Sequence, residues 1–401
     1  MIALLVTAAT IQPAIAQRRP FAARPSGGER QIDIRATTLL EYNDNVVLND
    51  PRISQGGSRG DALAAPSIDV NIVLPRATGS VYLVGTAGYR FYKRYTNLNR
   101  EAISLTGGAD QRLGPCVVHG EVSYQRQLSD LSSIAVQDTT NAFNNTEQAR
   151  NYTADVGCGA EYGLRPAVSF THTELRNSLA QRRYADADTN SVSGQLGLTS
   201  PSLGTVALFG RMSDSKYIHR VVPVVGGQDG IKSYAAGVQL ERSVANRLNF
   251  RGSVNYTKVD PKLASTRSFS GIGFDLSAAY SADLYNVQIT GSRTAQPSAI
   301  LFVGYEIVTT LSGSVTRKLS ERIQLTVQAN RTWRELASSP LFPGAPIAGN
   351  DVSTSIYGNA TFKPNRRLSF TLGAGYDRRT TTAQLFQYRA KRINLSTSLS
   401  L

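Results

Sequence analysis

The stretch Leu248-Asn249-Phe250-Arg251-Gly252-Ser253-Val254-Asn255-Tyr256-Thr257-Lys258 constrains this chain more than any other. Its even positions are apolar or aromatic up to a terminal lysine, and its odd positions are mostly polar. A period of two is a β-strand with two chemically different faces. The same grammar returns in Val118-x-Gly120-x-Val122-x-Tyr124-x-Arg126 and in Leu368-x-Phe370-x-Leu372-x-Ala374-x-Tyr376-x-Arg378. A soluble sandwich could use such strands, but the aromatic-then-basic ending fits another solvent. In a membrane strand the apolar stripe meets lipid, the tyrosine sits at headgroup depth and the cation beyond it meets anionic headgroups. The expected fold is therefore all-β, an antiparallel up-and-down transmembrane β-barrel.

Mean hydropathy is only −0.21, which excludes a bundle of membrane helices, since these need long uninterrupted apolar runs. Alternation conceals a lipid-facing stripe from such averaging. Residues 1–16 (MIALLVTAATIQPAIA) form an apolar run ending in the small-x-small pattern of a secretory cleavage site, although a basic leading region is missing. The expected organisation is a signal peptide over 1–16, a flexible periplasmic lead-in over 17–31 and the barrel over 32–401. The net charge is +14, and eight of the 43 basic residues are lysine. The arginines are scattered over strand ends and loops, with no basic helix or zinc spacing, so nucleic acid is not the expected partner. Outer-membrane lipids, lipopolysaccharide phosphates or an acidic polymer suit them better.

Connections alternate in length. Short turns are expected at Pro75–Gly79, Leu113–Pro115, Gly163–Pro166, Ser200–Gly204, Val244–Arg247, Ser281–Asp283, Leu319–Arg322 and Lys363–Arg366, each carrying Gly, Pro, Asn or Ser. Longer polar stretches lie between them, including Ser129–Gln148, Gln181–Asp188, Tyr217–Gly230, Asp260–Arg267, Gln296–Leu301 and Leu336–Asn350. Eight turns and nine loops imply about 18 strands with both termini periplasmic, the asymmetry of bacterial outer-membrane barrels. The last alternating run ends on Leu401, where such barrels usually carry an aromatic residue. Aromatic side chains mark two girdles: Tyr162, Tyr280 and Tyr285 near the short turns, and Tyr89, Tyr124, Tyr256, Trp333 and Tyr376 near the loops.

The opposite parity lines the lumen. Gln324, Gln328 and Asn330 on one strand and Tyr357 on the next are its amide and hydroxyl members, with Arg35, Arg90, Arg211 and Arg251 set against Glu121 and Glu161. Barrels of sixteen to eighteen strands leave an aqueous channel, so a water-filled passage is favoured over an interior plugged by inward loops. Cys116 and Cys158 share outward parity on neighbouring antiparallel strands, each close to a short turn. In the oxidising periplasm they are expected to form a disulfide.

Catalysis is not expected. The three histidines offer only isolated polar pairs, His119 beside Glu121 and His172 beside Glu174, and neither pattern supplies the three groups of a hydrolase site. No spacing suggests a metal site or a cofactor.

The segment Glu41-Tyr42-Asn43-Asp44-Asn45-Val46-Val47-Leu48 resembles the Tyr-Asp-Asp-Asn-Val-type segment found early in the outer-membrane β-barrel porins of proteobacteria, including barrels associated with exopolysaccharide biosynthesis. Pro66-Ser67-Ile68 and Tyr89-Arg90-Phe91-Tyr92-Lys93-Arg94-Tyr95 are similar to that family as well, while Asn43 stands where Asp is common. The resemblance implies passage of polysaccharide beside a periplasmic export apparatus. The first expectation is therefore a conduit for a polar polymer. The alternatives are a diffusion porin for small solutes and a non-conducting surface receptor or structural barrel. Oligomeric state is left open by the sequence.

Overall fold

A computed structural model of the chain describes residues 30–48, 57–129, 144–222, 227–245, 247–263, 266–298, 300, 303–338, 350–381 and 387–401. The expected signal peptide, nearly all of the lead-in and the interiors of the Ser129–Gln148 and Leu336–Asn350 loops lie outside these residues.

Eighteen strands follow one another along the chain. They are β1 (Gln31–Asn43), β2 (Asp61–Arg76), β3 (Gly79–Tyr92), β4 (Arg100–Leu113), β5 (Cys116–Leu128) and β6 (Thr146–Cys158). Next come β7 (Gly163–Asn177), β8 (Ala187–Ser200), β9 (Gly204–Val222), β10 (Gly227–Val244), β11 (Leu248–Pro261) and β12 (Phe269–Ser281). The wall is completed by β13 (Tyr285–Pro297), β14 (Val303–Lys318), β15 (Ile323–Ser338), β16 (Asn350–Phe362), β17 (Leu368–Thr381) and β18 (Tyr388–Ser400). Each strand pairs antiparallel with its sequence neighbours, and β1 also pairs with β18, Arg35 standing opposite Asp69 on one side and Ser400 on the other. The ladder is closed. Closure matters because hydrocarbon offers no partner to an unpaired backbone amide or carbonyl, so a spanning sheet can have no free edge.

Eight short turns gather at one rim, together with the start of β1 and the end of β18, and the other nine connections leave from the opposite rim, most of them longer, although only four residues separate β9 from β10. The turn between β8 and β9 shows how tightly the chain reverses. Gly204 has φ +81°, and a Cβ there would lie 2.3 Å from the Glu241 carbonyl oxygen, so only glycine fits. Two boundaries differ from expectation. The turn expected at Gly163–Pro166 lies at 159–162, and those four residues instead open β7, paired with β8, because Gly and Pro are admitted at a strand's first positions as readily as in a turn. The stretch Tyr217–Gly230 is mostly strand rather than loop, because β9 runs to Val222 and β10 starts at Gly227, with a register shift between Gln228 and Gly230. Above the hydrocarbon the outer face of a strand meets water and needs no apolar residues, so the alternation that marks a strand in the sequence fades there.

One parity is maintained around the whole wall. Ile68, Leu196, Val254, Ile272, Val327 and Leu372 all expose more than half of their surface on the outside. A continuous belt of this kind is compatible with lipid and not with water. The chain is an outer-membrane β-barrel, and its location is the cell outer membrane. Tyr162, Tyr280 and Tyr285 are exposed outside the short-turn rim, while Tyr89 and Tyr256 are exposed toward the loop rim. Tyr124, Trp333 and Tyr376 share the outward parity and are half-buried.

Cys116 and Cys158 stand directly opposite one another on β5 and β6 and are joined by a disulfide on the outward face. The bond staples two strands at the short-turn rim and closes a segment of 42 residues. Thiol titration of the denatured, unreduced barrel is expected to find no free thiol, and two after reduction; two thiols before reduction would dismiss the bridge.

Candidate functional site: the lumen and its outer mouth

The inner face is built from short hydroxyl side chains that bond across strands. Thr290 meets Ser312 at 2.6 Å, Thr316 meets Thr326 at 3.1 Å, Thr361 meets Thr371 at 3.0 Å and Ser191 meets Ser213 at 3.0 Å. Such pairs stabilise the sheet locally. They also leave a polar, hydrated wall, since a hydroxyl has more hydrogen-bonding capacity than one neighbour satisfies.

Two tyrosines lie along this wall over glycines. Tyr357 crosses Gly373 and donates to Asn394 at 2.8 Å, two strands away. A Cβ on Gly373 would be 2.0 Å from the Tyr357 hydroxyl oxygen. Tyr82 crosses Gly108 in the same way to reach Glu121, and its ring stacks on His119. Both inward rings are thus held flat against the barrel, where they cost the lumen little width.

Charges on the inner face are largely paired. Near the short-turn rim, Asp110 accepts from His119 Nδ1 at 2.7 Å and from the Ser80 hydroxyl at 3.2 Å. Ser80 contacts the carboxylate and not the imidazole, so the trio lacks the order a nucleophilic serine requires. Asp69 takes hydrogen bonds from Thr37 at 2.8 Å and Thr86 at 2.6 Å. Toward the loop rim, Asp351 is buried between two arginines, at 2.6 Å from Arg379 and 3.1 Å from Arg334. Arg392 lies 3.5 Å from Asp377 and over the Tyr357 ring.

Of the residues singled out from the sequence, Arg35, Arg90, Arg211, Arg251, Glu121, Gln324, Gln328, Asn330 and Tyr357 all have the inward register. Glu161 does not. It is exposed in the turn between β6 and β7, outside any strand, where alternation no longer assigns a face. His172 is on the outer face, 2.8 Å from Asn190 and 3.5 Å from Glu174.

Sequence reasoning missed the arrangement at the outer mouth. Pairing between β12 and β13 stops at Phe274 and Arg293, yet β13 and β14 stay paired up to Pro297 and Tyr305. The upper part of this hairpin leaves the wall and bends inward. Tyr305 and Ile307, whose parity would face lipid lower in the strand, pack against Ile231 of β10 and Val259 of β11, which have inward register. Phe269 of β12 and Ala295 of β13 complete that small apolar cluster. The outer face of the hairpin therefore lies on the inner face of its neighbours.

Its tip is tied to β9. The Tyr217 hydroxyl accepts from the Ser298 amide at 2.7 Å and lies 2.9 Å and 2.8 Å from the carbonyl oxygens of Ser298 and Gly304. Arg220 donates to the Val303 carbonyl at 2.9 Å and the Ser298 carbonyl at 3.2 Å, with Asp229 at 3.5 Å. Its guanidinium sits 3.7 Å from the centroid of the Tyr217 ring, a cation–π contact removed from water. Tyr305 in turn donates to the Arg267 carbonyl at 2.8 Å, and Gln296 to Glu306 at 2.7 Å on the face turned to the lumen. Four strands of wall, from β9 to β12, are spanned by this strap.

No family model matches the sequence, and no curated protein matches it. Among solved structures, the chain is similar to the OccK2 (OpdF) protein of Pseudomonas aeruginosa in complex with glucuronate, at 8% identity, TM-score 0.47 and coverage of 93% of this chain and 98% of that one. It is similar to OccK5 (OpdH) of the same organism at 10% identity, TM-score 0.45 and coverage of 93% and 98%. For OccAB3 of Acinetobacter baumannii the values are 10%, 0.44, and 92% and 100%. The fold itself rests on the closed ladder.

Removing the tip contacts with Tyr217→Phe and Arg220→Ala takes away four hydrogen bonds and is expected to cost about 4 kcal/mol of local stability, at roughly 1 kcal/mol per hydrogen bond. Where cleavage tracks the opened population, chymotrypsin should then cut after Tyr305, buried in the closed strap, roughly 1000-fold faster than in the unchanged barrel. An unaltered rate would show that the apolar cluster alone holds the strap.

Proposed function

We propose that the protein is an outer-membrane channel for small polar solutes, narrowed at its outer mouth by the inward hairpin of β13 and β14. The strap itself is the observation that supports this reading. A lumen faced by hydroxyls, amides and paired charges suits water and hydrated solutes. A hairpin laid across the inner wall from β12 to β9 reduces the cross-section open to a bulky chain. Passage selected by size and hydrogen bonding needs no covalent step, and the inner groups serve as exchange partners for a solute that sheds part of its water.

Export of a polysaccharide, implied by the resemblance of the Glu41–Leu48 segment, is the second reading. The half-buried ring of Tyr357 on the lumen wall favours it, since sugar rings stack on aromatic faces. It requires the strap to swing aside, or the polymer to pass beside it.

Planar-bilayer recording is the test. The purified barrel should show discrete conductance steps, and the Tyr217→Phe, Arg220→Ala variant should show larger ones that admit larger polyethylene glycols. Equal steps in the two proteins would deny the strap a role in narrowing the passage. Silence in both would favour a non-conducting receptor or structural barrel.

A further inference from the structure

At the level of the loop-side girdle, the outer face carries charges of two kinds. On β5 to β9 they balance. One cross-strand row runs Tyr124, Arg150, Glu174, Asp188, Lys216 in register, with two cations and two carboxylates. Arg150 reaches Glu174 at 3.4 Å and Arg176 reaches Asp188 at 2.6 Å, while Arg126 is paired with Glu101.

On β15 to β18 they do not balance. There the corresponding row runs Arg331, Thr354, Arg378, Arg389. Lys391 stands opposite Tyr376, one outward position nearer the hydrocarbon. All four cations are exposed, and none forms an ion pair with a carboxylate among the described residues. The nearby acids are engaged elsewhere. Asp44 accepts the backbone amide of Lys391 at 2.7 Å, Glu335 pairs with Arg293 at 3.1 Å, and Asp377 and Asp351 have inward register toward Arg392, Arg334 and Arg379.

Arginines directly opposite on neighbouring strands repel, and such a pair persists at a cost unless an anion lies between them. Strands are about 4.8 Å apart, so Arg378 and Arg389 can grip one phosphate from both sides, and Arg331 is within reach of a second group two strands away. Guanidinium and phosphate match in geometry as well as charge. Position decides the source of the phosphate. Tyr376 stands one outward position nearer the hydrocarbon than this row and Trp333 one position beyond it, with Arg331 5.0 Å from the Trp333 ring centroid, so the row lies within the aromatic belt, where headgroups of the outer leaflet sit.

We infer that Arg331, Arg378, Arg389 and Lys391 form a docking surface for the phosphorylated glycolipid headgroup of the outer leaflet, lipid A, confined to the β15–β18 face. The surface depends on the barrel's place in the membrane and not on what passes through it. Failure of the test would leave the channel reading intact.

Native mass spectrometry of the detergent-solubilised barrel, with bisphosphorylated lipid A as the added probe, decides the matter. A cation at a membrane surface contributes about fivefold in affinity, so Arg378→Ala with Arg389→Ala should weaken binding about 25-fold. Arg378→Lys with Arg389→Lys keeps the charge and should retain most of it. Arg150→Ala with Lys216→Ala, taken from the balanced row, should change it less than about twofold. Lipid A stripped of its phosphates should bind the unchanged barrel as weakly as bisphosphorylated lipid A binds the alanine variant. Equal loss from both pairs of alanine substitutions, or none from the first, would overturn the assignment. So would displacement of lipid A by an equal concentration of inorganic phosphate, which would mark a site for the free anion.

Discussion

Hydrocarbon gives backbone amides nothing to bond to, and everything else in this barrel follows from that deficit. Every strand must find two neighbours, so β1 must meet β18 and the sheet must close. Closure in turn divides the side chains into two populations that cannot mix, because the pleat sends successive residues to opposite faces and a slip by one residue would exchange them all. The apolar belt and the hydroxyl-lined lumen are the two faces of that single requirement. The disulfide between Cys116 and Cys158 belongs to the outer population and adds a covalent tie at the rim where the turns are shortest.

Inside, the same closure creates the opposite difficulty, which is to keep polar groups satisfied while leaving space. Short Thr and Ser side chains meet across strands, and the acids of the wall find arginines or hydroxyls. Two large inward rings lie flat because a glycine makes room beneath them, Tyr357 over Gly373 and Tyr82 over Gly108. Glycine in a strand is normally a weakness; here it makes room for a close approach.

The β13–β14 hairpin shows that parity alone does not determine environment. Leu311, lower in β14, exposes half its surface on the lipid side, while Tyr305 and Ile307 share its parity and are buried against the inner wall. The difference begins where β12 stops pairing at Phe274. Above that level water can satisfy the freed backbone, so the hairpin is released from the cylinder, and its apolar face finds the nearest apolar surface, which is Ile231 and Val259. Tyr217 and Arg220 then hold the tip, using donors and acceptors that the hairpin's own turn leaves over.

The alternation of Leu248–Lys258 and its repeats is legible in the sequence, and with it the strand number, seven of the eight short turns, most of the inward and outward sets and the opposition of the two cysteines; Gly163–Pro166 has turn composition but opens β7. Hydrophobic period is a local property that lipid enforces residue by residue. Glu161 belongs to a turn, where period has no meaning, and the upper ends of β9 and β10 lack the strand signature because their outer face meets water while their inner face, with Tyr217, Arg220 and Ile231, packs under a hairpin distant in the chain. The strap over the outer mouth and the unbalanced cation row left no local trace. Each depends on residues distant in the chain, Tyr217 with Ser298 and Arg331 with Arg389, becoming neighbours through the register of several strands. The sequence by itself determined a closed barrel with a dry outside and a wet inside, because lipid and water act on each side chain independently. Only the tertiary structure decided what narrows the lumen and where its outer charges go unpaired, since both are sums over partners that the chain brings together only when the wall has closed.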